Sequence, residues 1–235
     1  MSNLITPDAL DTLIAEGAPV RLIDVRWRLD RPDGHADYLE GHLPGAVYVA
    51  LDTDLALHGA PAEGRHPLPP HEALQAAARR WGVNDGDIVV AYDDAGSVAA
   101  ARAWWLLRRA GVDVRVLDGG LGKWVATGLP VQSGDVLVPE GNVTLGESLE
   151  GELSIDEAAA LPEHGVLLDV RVAPRYRGET EPIDPIAGHV PGAINLPAAA
   201  HIAADGTMVD AETLRAAFAE AGVTEGTQVA AYCGS

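Results

Sequence analysis

Short apolar runs and longer amphipathic stretches alternate along the first half of the chain. The runs Val20–Val25, Ile88–Tyr92 and Val114–Leu117 are rich in β-branched residues and are bounded by turn residues, which is typical of buried parallel strands. Between them, "HEALQAAARRWG" and "AAARAWWLLRRAG" have helical spacing, and each closes on a glycine suited to a left-handed C-terminal cap. In "SIDEAAAL", Ser154 and Glu157 predict a capping box. Strand and helix alternation predicts an α/β protein with a parallel β-sheet and helices on both of its faces.

Three segments of the chain occur twice and in the same order. "RLIDVR" returns as "LLDVR", "EGHLPGAVYVAL" returns as "AGHVPGAINLP", and "EALQAAARRWGVNDGDIVVAYDD" returns as "ETLRAAFAEAGVTEGTQVAAYCG". The offsets are 145 residues from Asp24 to Asp169, 147 from His42 to His189, and 140 from Tyr92 to Tyr232. Solenoid repeats have periods of about 20–50 residues, so this pattern indicates a duplicated domain instead.

The duplication divides the chain into two domains of the same fold. We predict a first domain over residues 1–132 and a second over residues 153–235. The stretch 133–152 holds several glycines and no helical period, and we interpret it as the linker between the domains.

Composition narrows the class of function. Sixteen Lys and Arg against 35 Asp and Glu give a net charge of −19, which repels phosphate backbones and argues against nucleic-acid binding. No apolar run approaches the roughly 20 residues that span a membrane, and "MSNLITPDAL" lacks the pattern of a secretory signal. A single cysteine excludes an internal disulfide, which predicts a reducing, cytoplasmic location. The histidines lack ligand spacing, so we expect no metal site.

The one cysteine, Cys233, stands directly after a predicted buried strand. Alignment of the two copies places Asp93 at the same position in the first domain. In open α/β sheets, ligands bind beyond the carboxyl ends of the strands. The position therefore indicates a catalytic thiol in preference to a packed core cysteine.

At these residues the sequence resembles the rhodanese family, and specifically its tandem-domain sulfurtransferases. The resemblance is carried by "DVR", "GHLPGA" with "GHVPGA", "YDDAGSVAAARAWWLLR", "VLDGGLGKW", "RYRGETEP" and "YCGS", which together span almost the whole chain. It implies that the first domain is a scaffold and that the second carries the nucleophile. Cys233 would take a sulfur atom from a small anionic donor as a persulfide and pass it to cyanide or another thiol, without a cofactor. Inward-facing loop amides and a helix behind them would favour the thiolate.

The resemblance also implies site residues and a donor. "CGS" is similar to the 3-mercaptopyruvate branch, where Ser235, His66 and Asp54 would form a triad that relays a proton to the leaving enolate. Gly234 would belong to the loop that faces the substrate.

Arg175 in "RYRGETEP" matches the arginine that binds the donor's carboxylate in this family. A second arginine expected after "EP" is missing, and Asp184 near its place would repel an anion. Arg177 is the candidate to compensate for it.

Other readings stay open at this point. Thiosulfate is the alternative donor, and a binding module that holds a persulfide without turnover is the non-enzymatic alternative. A phosphatase, whose fold is related, is disfavoured by "CGS" and by the duplication.

Several polar residues predict structural roles because they occur in both copies, although one copy lacks the thiol. They are Asp24 with Asp169, Arg26 with Arg171, and His42 with His189. "GHLPGA" and "GHVPGA" predict tight turns with glycine at unusual backbone angles. Trp104 and Trp105 lie at core spacing on a helix.

The first copy continues for 38 residues from Asp93 to Val131, whereas Ser235 lies two residues after Cys233. A domain of this size can hardly spare a strand and two helices. We expect a complementary C-terminal piece of about 40 residues, present after cleavage within the loop or as a continuation of the sequence.

Overall fold

The computed structural model describes residues 2–59, 63–147 and 151–234. Contacts divide these residues into two compact units. The first comprises residues 2–147 with 205–207, and the second comprises residues 151–204 with 208–234. Both units are of the α/β class with a parallel sheet, as the alternating pattern predicts.

The first unit contains a five-stranded parallel sheet in the order β1-β5-β4-β2-β3. Its strands are β1 (Leu4–Ile5), β2 (Val20–Asp24), β3 (Val47–Tyr48), β4 (Ile88–Tyr92) and β5 (Asp113–Leu117). The three strands predicted from apolar runs are confirmed.

Six helices of the first unit surround this sheet among the described residues. They are α1 (Pro7–Ala15), α2 (His35–Glu40), α3 (Leu51–Asp54), α4 (His71–Arg80), α5 (Val98–Arg109) and α6 (Gly120–Ala126). The predicted glycine caps after α4 and α5 are confirmed, since Gly82 and Gly111 have φ of +76° and +85°. A left-handed residue at this position satisfies carbonyl groups that the helix leaves unpaired.

Alternate residues of the central strand β4 face opposite layers of helices. Val89 and Ala91 pack in the cluster that contains side chains of α4 and α5. Val90 and Tyr92 pack in the cluster that contains Leu10 of α1 and Trp124 of α6. This two-residue alternation buries both faces of the sheet. Trp104 and Trp105 pack against the first of these clusters, as their spacing predicts.

The segment predicted as a linker is packed on the first unit over much of its described length. Val143 and Leu145 are buried in the cluster of α4 and α5. Gly141 lies so close to this unit that a Cβ on it would stand 2.0 Å from the carbonyl oxygen of Val83. The absence of a side chain at Gly141 therefore allows close packing. Sequence composition alone does not distinguish such a glycine from one in a flexible linker.

The second unit repeats the central part of this architecture. Its elements are α7 (Ile155–Ala160), a 3₁₀ turn (Leu161–Glu163), β6 (Val166–Asp169), α8 (Ala173–Tyr176), β7 (Ile194–Asn195), a second 3₁₀ turn (Ala198–His201), α9 (Ala211–Glu220) and β8 (Val229–Tyr232). The parallel strand order is β7-β6-β8, which matches β3-β2-β4 of the first unit. The capping box of Ser154 and Glu157 at the start of α7 is confirmed.

The second unit buries much less apolar surface around its sheet. Its buried cluster holds Leu161, Leu167 and Ala193. Val229 on β8 is 45% exposed, whereas its counterpart Val89 on β4 is 0% exposed. Among the described residues, β8 pairs with β6 alone, whereas β4 lies between β2 and β5. In the described part of the chain, no helix combines the length and the apolar character that a membrane crossing requires.

Candidate active site

The candidate site lies where the strands of the second unit end. Asp169, the last residue of β6, is aligned with Asn195 at the end of β7 and with Tyr232 at the end of β8. Cys233 follows Tyr232 directly, and its side chain is exposed. Parallel strands bring their carboxyl ends to one edge of a sheet, which is where ligands of such folds bind. The thiol is therefore at an accessible strand exit and not in an apolar core.

A partly buried hydrogen-bond network fixes the residue that precedes the thiol. The Tyr232 hydroxyl donates to Asp169 Oδ2 at 2.7 Å and accepts from the Val190 N–H at 3.0 Å. Arg171 donates to the same carboxylate through Nε and Nη2, the latter at 2.6 Å. Burial alone would raise the pKa of Asp169, but the bonds from Arg171 and Tyr232 outweigh it and hold the pKa below its usual value. Burial raises the pKa of Tyr232 to about 12, so its hydroxyl stays protonated and donates.

The first unit contains the same kind of network without a thiol. Arg26 binds Asp24 through Nε and Nη2, and its Nη2 also donates to the Gly41 carbonyl at 3.1 Å. Arg171 donates to the equivalent Gly188 carbonyl at 2.6 Å. Each arginine thus ties the end of a strand to the glycine that begins "GHLPGA" or "GHVPGA". The structural role predicted for these pairs is confirmed.

The two histidines of these motifs have matching structural contacts. His42 Nδ1 lies 2.8 Å from the Tyr38 carbonyl, and His189 Nδ1 lies 2.8 Å from the Tyr176 carbonyl. The turn glycines Gly45 and Gly192 have φ of +78° and +83°, a region that favours glycine over other residues. The prediction of tight turns is confirmed.

Arg175 approaches the backbone beside the thiol, but its charge is already paired. A Cβ placed on Gly234 would stand 2.8 Å from Arg175 Nη1 and 3.1 Å from Nη2. The guanidinium donates to both oxygens of Glu181, at 2.7 and 3.2 Å, and to Asp184 Oδ2 at 2.8 Å. Hydrogen bonds from the Asp184 N–H and from Arg175 lower the pKa of Glu181 to about 2. The predicted anion-binding arginine therefore has two carboxylates on its fork.

Arg177, the other predicted arginine, is placed in a separate ion pair. Its Nε and Nη2 donate to the two carboxylate oxygens of Glu179, and about half of each side chain is exposed. Such a surface pair lowers the pKa of Glu179 but contributes little to stability.

In the first unit, His66 pairs with Asp52 and not with Asp54. His66 Nε2 lies 3.0 Å from Asp52 Oδ1. Asp54 instead accepts from Arg80 Nη2 at 2.8 Å and, more weakly, from the Ala50 N–H and Trp81 Nε1. The predicted pairing of His66 with Asp54 is therefore wrong. Both aspartates belong to the four-residue helix α3, where a spacing of two residues turns the side chains in different directions.

The backbone around His66 is anchored by an arginine that sequence reasoning passed over. Arg102 of α5 donates to the carbonyls of Leu55, His66 and Pro67, at 2.8, 2.7 and 3.2 Å. Burial lowers the pKa of His66 and outweighs the opposing influence of Asp52, so the imidazole is neutral at pH 7. A neutral imidazole that is oriented by a carboxylate can donate or accept a proton. The signal in the sequence was a lone arginine inside the alanine-rich stretch "AAARAWW".

The loop after β4 shows how this fold holds a negative group at the position of the cysteine. The Asp93 carboxylate, with a residue exposure of 1%, accepts four backbone N–H bonds at 2.9 to 3.0 Å, from Ala95, Ser97, Ala99 and Ala100. The last two donors belong to the first turn of α5, whose dipole favours a negative charge. Burial raises the pKa of Asp93, and the four N–H donors oppose that rise.

The structure thus places the predicted residues in two separate sets. Cys233, Gly234 and Arg175 lie close together in the second unit, and His66 lies in the first unit beside Asp52. Ser235 lies outside the described residues. Sequence reasoning missed Asp52 and Glu181 as partners of the predicted histidine and arginine. Among the residues that the structure describes, no cluster of His, Cys, Asp or Glu has the makings of a metal site.

Comparison with known proteins agrees with this geometry. Residues 6–127 match the profile of the rhodanese-like domain family. The chain is 47% identical to the "Putative thiosulfate sulfurtransferase SseB" of Mycobacterium tuberculosis over 99% of this chain and 83% of that protein. It is 38% identical to the "Probable 3-mercaptopyruvate sulfurtransferase" of Pseudomonas aeruginosa over 100% of this chain and 84% of the relative.

A solved structure carries the same fold. The crystal structure of SseA from Escherichia coli, a 3-mercaptopyruvate sulfotransferase with the "Rhodanese" fold, superposes with a TM-score of 0.84. The match has 29% sequence identity and covers 98% of this chain and 88% of that chain. The duplicated sheet, the exposed cysteine at a strand exit and these matches show that the chain belongs to the rhodanese family of sulfurtransferases.

Proposed function

We propose that the protein transfers a sulfur atom from 3-mercaptopyruvate to a thiol or cyanide through a persulfide on Cys233. One observation carries the proposal. The exposed thiol follows strand β8, and the guanidinium of Arg175 lies against the next residue, Gly234. A nucleophilic sulfur beside a planar cation suits a small donor that has a carboxylate at one end and a sulfur at the other.

The reaction takes place in two half-steps. In the first, the Cys233 thiolate attacks the sulfur of 3-mercaptopyruvate and an S–S bond forms. The donor's C–S bond breaks with its electron pair on carbon, and pyruvate leaves as its enolate, which takes up the proton that the donor's thiol releases. In the second, the acceptor attacks the outer sulfur, the S–S bond breaks, and the thiolate is restored. With cyanide as acceptor the product is thiocyanate.

The nucleophile in this scheme is a thiolate, which needs stabilisation at neutral pH. The loop of Asp93 supports such an environment, because the first copy surrounds a negative group at the equivalent position with four backbone N–H donors. We propose that the loop after Cys233 has this design, with Gly234 and Ser235 as its first residues.

We assign the remaining roles by chemistry. Arg175 binds the donor's carboxylate. The neutral imidazole of His66 is the proposed proton relay, which takes up the proton that the donor's thiol releases and passes it to the enolate. Asp52, which holds His66 Nε2 at 3.0 Å, takes the orienting role that the sequence assigned to Asp54. Ser235 stays the third proposed member of this relay.

Thiosulfate is the second candidate donor. Two observations favour it, namely the name of the relative with 47% identity and the position of Asp184 on Arg175, where a second arginine was expected. In this version the thiolate attacks the outer sulfur of thiosulfate, the donor's S–S bond breaks, and sulfite leaves. No proton donor is required, so His66 and Ser235 would matter less.

Steady-state rates with each donor, with cyanide as acceptor, test both versions. We expect higher kcat/KM with 3-mercaptopyruvate, and we expect His66→Asn and Ser235→Ala to reduce that value about tenfold or more while leaving the thiosulfate rate nearly unchanged. Cys233→Ser serves as the inactive control. Equal losses with both donors, or a higher kcat/KM with thiosulfate, would favour the second candidate.

The mass of the intact protein after treatment with a donor separates turnover from storage. A persulfide adds the mass of one sulfur atom to Cys233, and addition of cyanide removes it from an enzyme. A persulfide that forms and then resists every thiol and cyanide would identify a carrier. If neither donor adds sulfur, the persulfide proposal fails.

We also propose that a segment of about 40 residues, equivalent to 94–131, packs on the second unit. Apolar side chains line a shallow cavity of about 380 Å³, with Leu214 and Phe218 from α9 and Val223 from the turn after it. Their counterparts Leu74, Ala78 and Val83 are 0% exposed, in a cluster that contains α5. Intact-mass analysis of fully active protein is expected to find this additional segment, and a mass equal to residues 1–235 alone would contradict it.

The cellular location follows from the same chemistry. A persulfide cysteine without a disulfide partner is suited to a reducing compartment, so we propose a cytoplasmic location.

A further inference from the structure

A chain of alternating charges extends from the end of strand β6 to the residue beside the thiol. It starts at Asp169, which forms an ion pair with Arg171, and Arg171 Nη1 lies 3.5 Å from Glu181 Oε2. Glu181 also pairs with Arg175, whose Nη2 lies 2.8 Å from Asp184 Oδ2 at the end of the chain. All these contacts lie within the second unit. Gly234 adjoins the Arg175 end of the chain.

The charges of this chain do not cancel. Its ion pairs join two guanidinium groups and three carboxylates, which leaves a net charge of −1. A monoanionic ligand on Arg175 would make the net charge −2 if every carboxylate stayed in place. If the ligand replaced one carboxylate, the charge around Arg175 would stay the same, and such an exchange costs much less than adding an unpaired charge.

The two carboxylates on Arg175 differ in their exposure to solvent. Glu181 is 5% exposed, and its Oε1 also accepts the N–H groups of Ile183 and Asp184 at 3.1 and 3.0 Å. Asp184 is 32% exposed, and its Oδ2 accepts from Arg175 Nη2 at 2.8 Å. Glu181 is therefore the more deeply buried of the two carboxylates, and Asp184 is the one that faces solvent, where an incoming anion can reach Arg175 in its place.

We propose that Asp184 acts as an internal competitor that occupies Arg175 until the anionic group of a donor replaces it. This inference rests on the proposed function for the identity of the donor, and it makes Asp184 a specificity-determining residue. A ligand benefits only if its own anion can take over the bond to Arg175 Nη2. Neutral sulfur compounds gain nothing from that exchange, so the device favours carboxylate and sulfonate-like donors over neutral ones.

Alkylation of Cys233 tests the exchange without requiring sulfur transfer. Iodoacetate and iodoacetamide both form a C–S bond with the thiolate and release iodide, but only iodoacetate carries a carboxylate. The sequence has one cysteine, so the rate measured by intact mass is that of Cys233. The readout is the ratio of the iodoacetate rate to the iodoacetamide rate, in which changes in thiolate reactivity cancel.

Asp184→Asn keeps the side-chain shape and removes the competing charge. We expect it to raise the ratio about fivefold, the factor that corresponds to about 1 kcal/mol. Glu179→Gln is the matched control, because it removes an equal charge from a nearby arginine-bound carboxylate on the surface. We expect the control to leave the ratio within about twofold. Arg175→Met is expected to lower the ratio, both as a single substitution and in combination with Asp184→Asn.

An unchanged ratio in Asp184→Asn would overturn the inference. Equal increases in Asp184→Asn and Glu179→Gln would also overturn it, because they would indicate a general effect of charge. Asp184→Ala provides a second variant with the same expectation. Sulfur-transfer assays then separate this inference from the proposed function. The Asp184→Asn enzyme is expected to have a lower KM for the donor with kcat nearly unchanged. A natural protein that transfers no sulfur from either donor, together with a raised alkylation ratio in Asp184→Asn, would contradict the proposed function alone.

Discussion

At the scale of single residues, the contact between Gly234 and Arg175 leads to a sharp prediction. A Cβ at residue 234 would stand 2.8 Å from Arg175 Nη1, closer than carbon and nitrogen atoms approach, and the guanidinium is held by Glu181 and Asp184. Gly234 has no positive φ, so alanine fits its backbone. We expect Gly234→Ala to push Arg175 aside and raise KM for an anionic donor about tenfold, while the melting temperature changes little. Steady-state kinetics and thermal unfolding check both parts, and an unchanged KM would show that Arg175 does not contact the donor.

The acidity of Glu181 predicts how the second unit responds to low pH. The Asp184 N–H and Arg175 hold its pKa at about 2, below the ordinary value of 4.5. Below pH 4.5 the unfolded chain therefore takes up a proton before the folded protein does. The stabilising contribution of Glu181 is fully present above pH 4.5 and is lost as the pH falls towards 2.

Glu181→Gln should remove this part of the acid sensitivity. We expect the urea midpoint of the variant, followed by far-UV circular dichroism, to fall less between pH 5 and pH 3 than that of the natural sequence. Glu163→Gln, which alters an exposed carboxylate of the second unit, is the control and should keep the original pH dependence. Parallel pH curves for the natural sequence and Glu181→Gln would contradict the assignment.

Sequence reasoning succeeded where two copies constrained the same residue. Asp24, Arg26 and their counterparts were assigned to structure because they recur without the thiol, and their hydrogen bonds confirm it. It failed for the partner of His66, because the direction of a side chain on the short helix α3 depends on packing against Arg80 and Trp81. Glu181 belongs to the motif "RYRGETEP", but its hydrogen bond with Arg175 depends on how the loop folds, which the motif does not reveal.

At the scale of elements, the loop from β4 to α5 combines a tightly bound carboxylate with local backbone strain. Ser97 is the N-cap of α5 and has φ of +66°, the one positive value among the described residues that are not glycine. Its side chain makes no capping hydrogen bond, while its N–H donates to Asp93 at 2.9 Å. The Asp93 carboxylate thus holds a serine in a conformation that costs about 1 kcal/mol.

Ser97→Gly should relieve this strain and keep the N–H bond to Asp93. We expect the free energy of unfolding of the first unit to rise by about 0.5–1 kcal/mol, measured from urea unfolding by tryptophan fluorescence. Ser97→Ala is the matched control, since alanine has the same conformational penalty as serine and should give no such gain. A stabilisation of equal size in both variants would contradict the strain argument.

The pattern of apolar residues predicted the elements better than it predicted their surroundings. Strand β4 and its repeat β8 have nearly the same apolar sequence, yet Val89 is buried and Val229 is 45% exposed. The difference arises because α5, β5 and the segment with Val143 and Leu145 cover the first unit. Local periodicity carries no information about which neighbour covers a strand. For the same reason, residues 133–147 looked like a linker although they contribute to a core.

At the scale of the whole molecule, the unequal cores predict that the two units unfold at different denaturant concentrations. The first unit buries both faces of a five-stranded sheet, whereas the buried cluster of the second holds three residues. Buried apolar area contributes roughly 25 cal/mol per Å², so the second unit has much less to offset its conformational entropy. In protein that consists of residues 1–235 alone, the second unit should therefore unfold first.

The distribution of tryptophans makes this order measurable. All five, Trp27, Trp81, Trp104, Trp105 and Trp124, belong to the first unit, so their fluorescence reports on that unit alone. Far-UV circular dichroism reports on the helices of both. We expect urea to reduce the dichroism signal in two steps, the first without a shift in tryptophan emission and the second together with it. Phe218→Trp places a probe on α9, and its added emission should change in the first step. Coincident curves for all three signals would show instead that the two units unfold in one cooperative transition and would contradict this prediction.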